Sequence, residues 1–187
     1  MPRSEVKFEP GEYYHVWTHA IGSENLFKTN ENYRFFLSKY TSYINPVAKT
    51  YAYCLMPNHF HLMVQIKEIQ SIDPSKAFSH LLNSYTQAFN KMFQRKGGLF
   101  VSNIRRRKIE DDSYFTRCIT YIHQNPTHHG FIKDFRNWRY SSWKAIVSEK
   151  STRIERIAVL DWFGGMAGFL KDHESRIGVE EEFIFGK

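Results

Sequence analysis

Val47-Ala48-Lys49-Thr50-Tyr51-Ala52-Tyr53-Cys54-Leu55-Met56-Pro57-Asn58-His59-Phe60-His61-Leu62-Met63-Val64-Gln65-Ile66 is the stretch whose reading decides the fold. Val47 to Leu55 reads as a strand, Met56-Pro57-Asn58 as a tight connection, and His59 to Ile66 as a second strand. The two pair as a hairpin whose apolar face covers helices. Strand side chains alternate, so His59 and His61 point one way and Phe60 the other. Phe60 can then enter a core while two imidazoles converge on a cation, and imidazole suits several divalent metals. The plainer alternative is two surface histidines on a half-exposed strand. A mixed thiolate zinc site is disfavoured, because Cys54 and Cys118 stand in the wrong places for it.

Working outward, Tyr13 to Ile21 reads as an earlier strand, with His15, Trp17 and His19 alternating against Val16 and Thr18. Tyr33, Phe36, Leu37, Tyr40 and Ile44 mark one buried stripe of a helix that begins at Asn30 or Glu31 and stops at Asn45-Pro46. A longer helix starts near Pro74, carries Phe78, Leu81, Leu82, Tyr85, Phe89 and Met92 on one face, and ends at Gly97-Gly98. Leu99 to Ile109 is a fourth strand. Asp111, Asp112 and Ser113 suit the start of a third helix running to about Gln124, closed by Pro126 and Gly130. The order β-α-β-β-α-β-α predicts an α+β fold, a ferredoxin-like antiparallel sheet with helices packed on one face. Trp138, Tyr140 and Trp143 read as an aromatic clasp, Arg153 to Phe163 as a short helix, and Glu180-Glu181-Glu182 as part of a solvated tail. The expected organisation is a main domain over 1–150 and a C-terminal helical extension and tail over 151–187.

The third helix adds chemistry. At about 100° per residue, Phe115, Cys118, Ile119 and Ile122 form its core stripe, and Tyr121 lies beside it. Asn125 is one turn later on the same side and Arg117 one turn earlier. A phenol, an amide and a guanidinium therefore line one flank of a helix expected to pack on the sheet. Asn125 would offer its carbonyl oxygen as a third ligand to a hard cation, leaving positions open for phosphate oxygens. Taken singly, Tyr121 also reads as a partly buried structural tyrosine, and Asn125 as a helix-end residue before proline.

Composition agrees with a polyanionic partner. Lys and Arg number 26 against 19 Asp and Glu, giving a net charge of +7 and a pI near 9.4, and 17% of the residues are aromatic. Cations neutralise phosphates and rings stack on bases. Arg95, Lys96, Arg105, Arg106, Arg107 and Lys108 bracket the fourth strand; Arg105 and Arg107 share one of its faces, Arg106 and Lys108 the other. One pair would grip a phosphate backbone, or the charges would simply protect a solvated edge strand. The start of the chain, with charges and two prolines in Met1 to Gly11, is unlike a signal peptide, and no apolar run approaches the ~20 residues of a membrane span. Cytoplasmic residence with reduced cysteines is expected.

Tyr53-Cys54-Leu55-Met56-Pro57-Asn58-His59-Phe60-His61-Leu62 and Tyr121-Ile122-His123-Gln124-Asn125-Pro126 together resemble the HUH superfamily of single-strand nucleases, and more closely the REP-associated tyrosine transposases. His15-Val16, Gly130-Phe131-Ile132 and Trp138-Arg139-Tyr140-Ser141-Ser142-Trp143 follow the same pattern, so the resemblance spans roughly residues 12–147. It implies that His59, His61 and Asn125 bind Mg²⁺ or Mn²⁺. It implies that Tyr121 attacks single-stranded DNA to give a 5′-phosphotyrosine link, with Tyr114 as a rival nucleophile. It implies palindromic hairpins as substrates, with Arg95, Lys96, Arg105, Arg107 and Arg117 as DNA contacts; the Thr127-His128-His129 turn departs from the basic residues frequent there. Monomer and homodimer both remain open. The competing readings are a hairpin-binding protein that no longer cleaves, and a zinc-dependent hydrolase or RNA-binding module.

Overall fold

A computed structural model describes residues 6–69, 71–101 and 104–175 of the chain. Four strands, β1 (Tyr13–His19), β2 (Ala48–Met56), β3 (His59–Ile66) and β4 (Arg105–Ile109), form one antiparallel sheet in the order β2-β3-β1-β4. That order, with α1 (Asn30–Tyr43) between β1 and β2 and α2 (Pro74–Met92) between β3 and β4, is the ferredoxin-like arrangement expected from the element order. The local chemistry of each start is visible. Thr29 and Asn32 form a reciprocal cap on α1, Asp73 caps α2 with Pro74 in its first turn, and Asp111 caps α3 (Asp112–His128) through Ser113 N.

Helices cover both faces of the sheet, which corrects the expectation of a single covered face. α1 and α2 lie over Tyr14, Val16, Phe60, Leu62, Val64 and Ile66. α3 lies over the other face, with Ala52, Cys54, Met56 and Met63 beneath it. The reason is in β2 and β3, which are apolar on both sides over much of their length, and such strands must be buried twice. α4 (Trp143–Val147), α5 (Arg156–Trp162) and α6 (Met166–Glu174) complete this second core through Trp143, Val159, Phe163 and Phe169.

Three further boundaries differ from expectation. Regular pairing of β4 starts only at Arg105, because the register slips by two residues between the Ala20–Phe100 bridge and the Trp17–Arg105 pair. α3 continues past Pro126 to His128: proline's fixed φ suits a helix, and in the last turn only one backbone bond is forfeited. A further helix, α6, follows the expected one after Gly164-Gly165, whose positive φ values of 69° and 100° make a turn between the two helices. Of the expected aromatic clasp, Trp138 and Tyr140 run along the outer edge of β2, while Trp143 enters the second core. Tyr140 O accepts from Leu55 N, Trp138 Nε1 donates to Leu55 O at 2.9 Å, and Tyr140 stacks on Tyr33 at 3.7 Å. The edge is thereby covered. Glu180-Glu181-Glu182 lie outside the described residues.

Candidate active site

Strand alternation places His15, Trp17 and His19 of β1 and His59 and His61 of β3 on the face that α3 covers. Register then sets them side by side: Trp17 faces His61, and His19 faces His59. His59, His61, Tyr121 and Asn125 are each at 2% exposure or less, so these are interior histidines and the surface reading falls. The His15 and His61 rings lie nearly parallel with centroids 5.0 Å apart; His59 meets His61 edge-on at 5.3 Å and stacks on His19 at 4.7 Å. Burial of such closely set rings disfavours charge. It lowers His15 to about 3, assisted by the Arg107 guanidinium, and His59 to about 3, assisted by its histidine neighbours. His61 lies well below the usual histidine range, first through burial and then through His15 and His59. Neutral imidazoles are the form that binds metal.

The hydrogen bonds go further and fix which nitrogen is available. His59 Nδ1 lies 2.7 Å from Asn58 Oδ1. A carboxamide oxygen only accepts, so Nδ1 carries the proton and Nε2 keeps its lone pair. Asn125 Nδ2 donates to Tyr121 O at 3.0 Å, which leaves Asn125 Oδ1 turned away from the helix. Both His59 Nε2 and Asn125 Oδ1 are buried without a hydrogen-bond partner, although Asn125 is close enough to favour the protonated His59 ring against the effect of burial. Two buried acceptors left unpaired cost about 1–3 kcal/mol each unless something positive lies between them. An imidazole nitrogen and a carboxamide oxygen can both donate to a divalent cation. Among the described residues no three His, Cys, Asp or Glu side chains form a metal-holding group. The Asn125 oxygen is a donor of another type set beside these imidazoles.

Tyr121 projects from α3 onto this cluster, its ring perpendicular to His61 at 5.5 Å and to His15 at 6.1 Å. The rival Tyr114 stands elsewhere, between the guanidinium groups of Arg107, at 6.0 Å, and Arg117, at 5.4 Å. Arg105 and Arg107 are exposed and pair across β4 with Trp17 and His15, so they share the histidine face and border the cluster. Their neighbours Arg106 and Lys108 face away, Arg106 over the Phe8 ring at 4.4 Å and Lys108 against Glu9 and Glu12. Arg95 is not brought to the site. It bonds Glu24 at 2.9 Å, Asn90 Oδ1 at 3.0 Å and Gly98 O at 2.7 Å, closing the loop after α2. Lys96 lies exposed in that same loop.

His123 is buried on the flank of α3 away from Tyr121 and belongs to a separate chain of bonds. His173 Nδ1 donates to Phe169 O at 2.7 Å, so its Nε2 accepts from His123 Nδ1 at 2.9 Å. His123 Nε2 then accepts from Ser142 Oγ at 2.7 Å, and Ser142 Oγ accepts from Tyr53 N at 2.9 Å. This chain ties α6 to α3 and to β2. Sequence reasoning gave His15 and His19 no role in the site, although their alternation on β1 was the available signal. It likewise gave no role to His129, whose ring lies 4.7 Å from that of His59.

Comparison with known proteins bears on the sequence and the fold. No family model matches the chain. A protein of Haemophilus influenzae named "Putative REP-associated tyrosine transposase" is 30% identical over 103 residues, which is 51% of this chain and 58% of that protein. The chain thus matches less than two thirds of its curated relative's length. Among solved structures, a REP-associated tyrosine transposase bound to a REP hairpin aligns with a TM-score of 0.67 at 16% identity, covering 80% of this chain and 87% of that one. The chain therefore resembles REP-associated tyrosine transposases in sequence, and shares the fold of the hairpin-bound structure.

Proposed function

We propose that this protein is a metal-dependent tyrosine transposase that binds DNA hairpins and cleaves and rejoins the adjoining single strand. The observation that carries the reading is the buried pair of unpartnered acceptors, His59 Nε2 and Asn125 Oδ1, beside His61 and under Tyr121. His59, His61 and Asn125 would hold Mg²⁺ or Mn²⁺. The ion, when bound, supplies Lewis-acid polarisation of a phosphate.

The chain's own residues do the rest. α3 holds the Tyr121 phenol over the cluster, and the surrounding core excludes water from it. Tyr121 Oη forms a bond to phosphorus as the bond to the 3′ oxygen breaks; the phenolic proton is lost and one is gained by the departing 3′ oxygen. The product is a 5′-phosphotyrosine link and a free 3′-OH. Because the link conserves the phosphoester, attack by a 3′-OH reverses the step and rejoins DNA without an external energy source. Arg105 and Arg107, at the border of the cluster, would hold the backbone of the entering strand.

Covalent capture tests the reading. The protein is incubated with Mn²⁺ and labelled oligonucleotides carrying palindromic hairpins with single-stranded flanks, then run on denaturing gels. A shifted band that is lost in Tyr121→Phe and with chelator is the expected result. Tight hairpin binding with no adduct on any flank would replace cleavage by binding alone. Metal-dependent hydrolysis that survives in Tyr121→Phe would point to the zinc-hydrolase alternative.

A further inference from the structure

The geometry points to His15 as the positioning residue for the metal ligand His61: it accepts the Nδ1 proton of His61, locks that ring and leaves His61 Nε2 as the ligating lone pair. The inference rests on the metal reading above and assigns a role to a residue outside its ligand set.

His15 Nε2 and His61 Nδ1 are 2.8 Å apart, both buried, on adjacent strands. One of the two nitrogens carries the shared proton. If it sat on His15, the His61 proton would be on Nε2 and no lone pair would remain for a cation. If it sits on His61 Nδ1, Nε2 is open, and the arrangement matches that of His59, whose Nδ1 donates to Asn58. Both candidate ligand rings would then be oriented by a partner at the nitrogen away from the cation, the usual way proteins set the tautomer and basicity of a ligating imidazole.

For this, the His15 ring must be held in place. It stacks on Trp17 at 4.8 Å and on His61 at 5.0 Å, and Arg107 stands opposite it on β4.

Two readouts test the assignment. In the metal-free full chain, long-range ¹H–¹⁵N imidazole spectra are expected to show His61 with its proton on Nδ1; a proton on Nε2 would overturn the proposal. Mn²⁺ affinity, read from the EPR signal of free Mn²⁺, is expected to fall about 10–100-fold in His15→Leu. It is expected to remain within about threefold of the parent in His15→Gln, which keeps an acceptor at similar reach. Equal affinity in parent and His15→Leu would overturn the role. So would an equal loss in both variants with the fold intact. If His15→Leu does not fold, the spectra of the parent and the affinity of His15→Gln decide. A parent chain that binds no Mn²⁺ through His59 and His61 would remove the metal reading, while the tautomer measurement would still judge the His15–His61 bond.

Discussion

The two ends of the Asn125 carboxamide face different neighbours. Its nitrogen is held by Tyr121 O, and its oxygen is left in a buried place with the His59 lone pair. In the metal-free protein this arrangement is a local loss of stability, and a bound cation would recover it. Asn125→Ala is therefore expected to change metal-free stability by less than about 1 kcal/mol, because removing an unpaired acceptor offsets the lost side-chain bond. Mn²⁺ is expected to raise the Tm of the parent, and the same variant is expected to abolish that rise. Differential scanning fluorimetry across a Mn²⁺ titration checks both; an undiminished Mn²⁺ effect in Asn125→Ala would remove it from the ligand set. The helical spacing of Tyr121 and Asn125 was readable in the sequence. The amide's orientation was not, since it depends on a carbonyl one turn earlier and on a histidine from another strand.

β4 and α6 show what single elements contribute. On β4, pairing with β1 divides four consecutive cations into Arg105 and Arg107 on the histidine face and Arg106 and Lys108 on the other, held by Phe8, Glu9 and Glu12. Replacing Arg105 and Arg107 with Gln is expected to reduce the salt dependence of hairpin binding, lowering the slope of log K against log salt by about 1 for each phosphate no longer neutralised. The same change at Arg106 should leave the slope nearly unaltered. Fluorescence anisotropy at several salt concentrations separates the two. The alternation itself was legible from sequence; which pair faced the site was not, because that needs the strand's register. α6 was not foreseen. It sits close against the end of α5, where a Cβ on Gly168 would come within 1.8 Å of Phe163 O. Backbone cannot yield cheaply, so Gly168→Ala is expected to cost about 1–3 kcal/mol, a fall in Tm of roughly 3–10 °C. An unchanged Tm would show that α6 does not pack this way.

At the scale of the whole molecule, the fold keeps a set of histidines neutral on the face of the sheet that α3 covers. Burial lowers His173 to about 4 and places His123 well below the usual range. The unfolded chain takes up these protons near pH 6.5, so between that pH and the folded values it binds more protons than the native state, and stability falls as the pH falls. The contribution is complete above about pH 6.5. A histidine pKa that is lower by one in the folded state corresponds to about 1.4 kcal/mol, so His173 alone accounts for roughly 3 kcal/mol lost by about pH 4. Urea midpoints of the metal-free protein at about pH 7.5, 5.5 and 4.5 should fall steadily. They should fall less in His173→Phe, which leaves no ring to protonate, even where the variant is less stable at neutral pH. Parallel pH curves would mean that His173 is not buried neutral.

The sequence by itself determined the order of elements, the hairpin around Met56-Pro57-Asn58 and the shared direction of His59 and His61. These follow from alternation, helical periodicity and turn chemistry, which act over a few residues. It also determined that Tyr121 and Asn125 lie on one flank of one helix, and its motifs carried the resemblance to tyrosine transposases. Only the tertiary structure decided that α3 crosses the sheet on the face opposite α1 and α2, bringing that flank onto those histidines. It alone brought His15 against His61, gathered Arg105 and Arg107 at the border, and kept Arg95 for a loop. Those outcomes depend on which strands become neighbours and in what register, and that is settled by burying both faces of β2 and β3 at once, a requirement that no local pattern expresses.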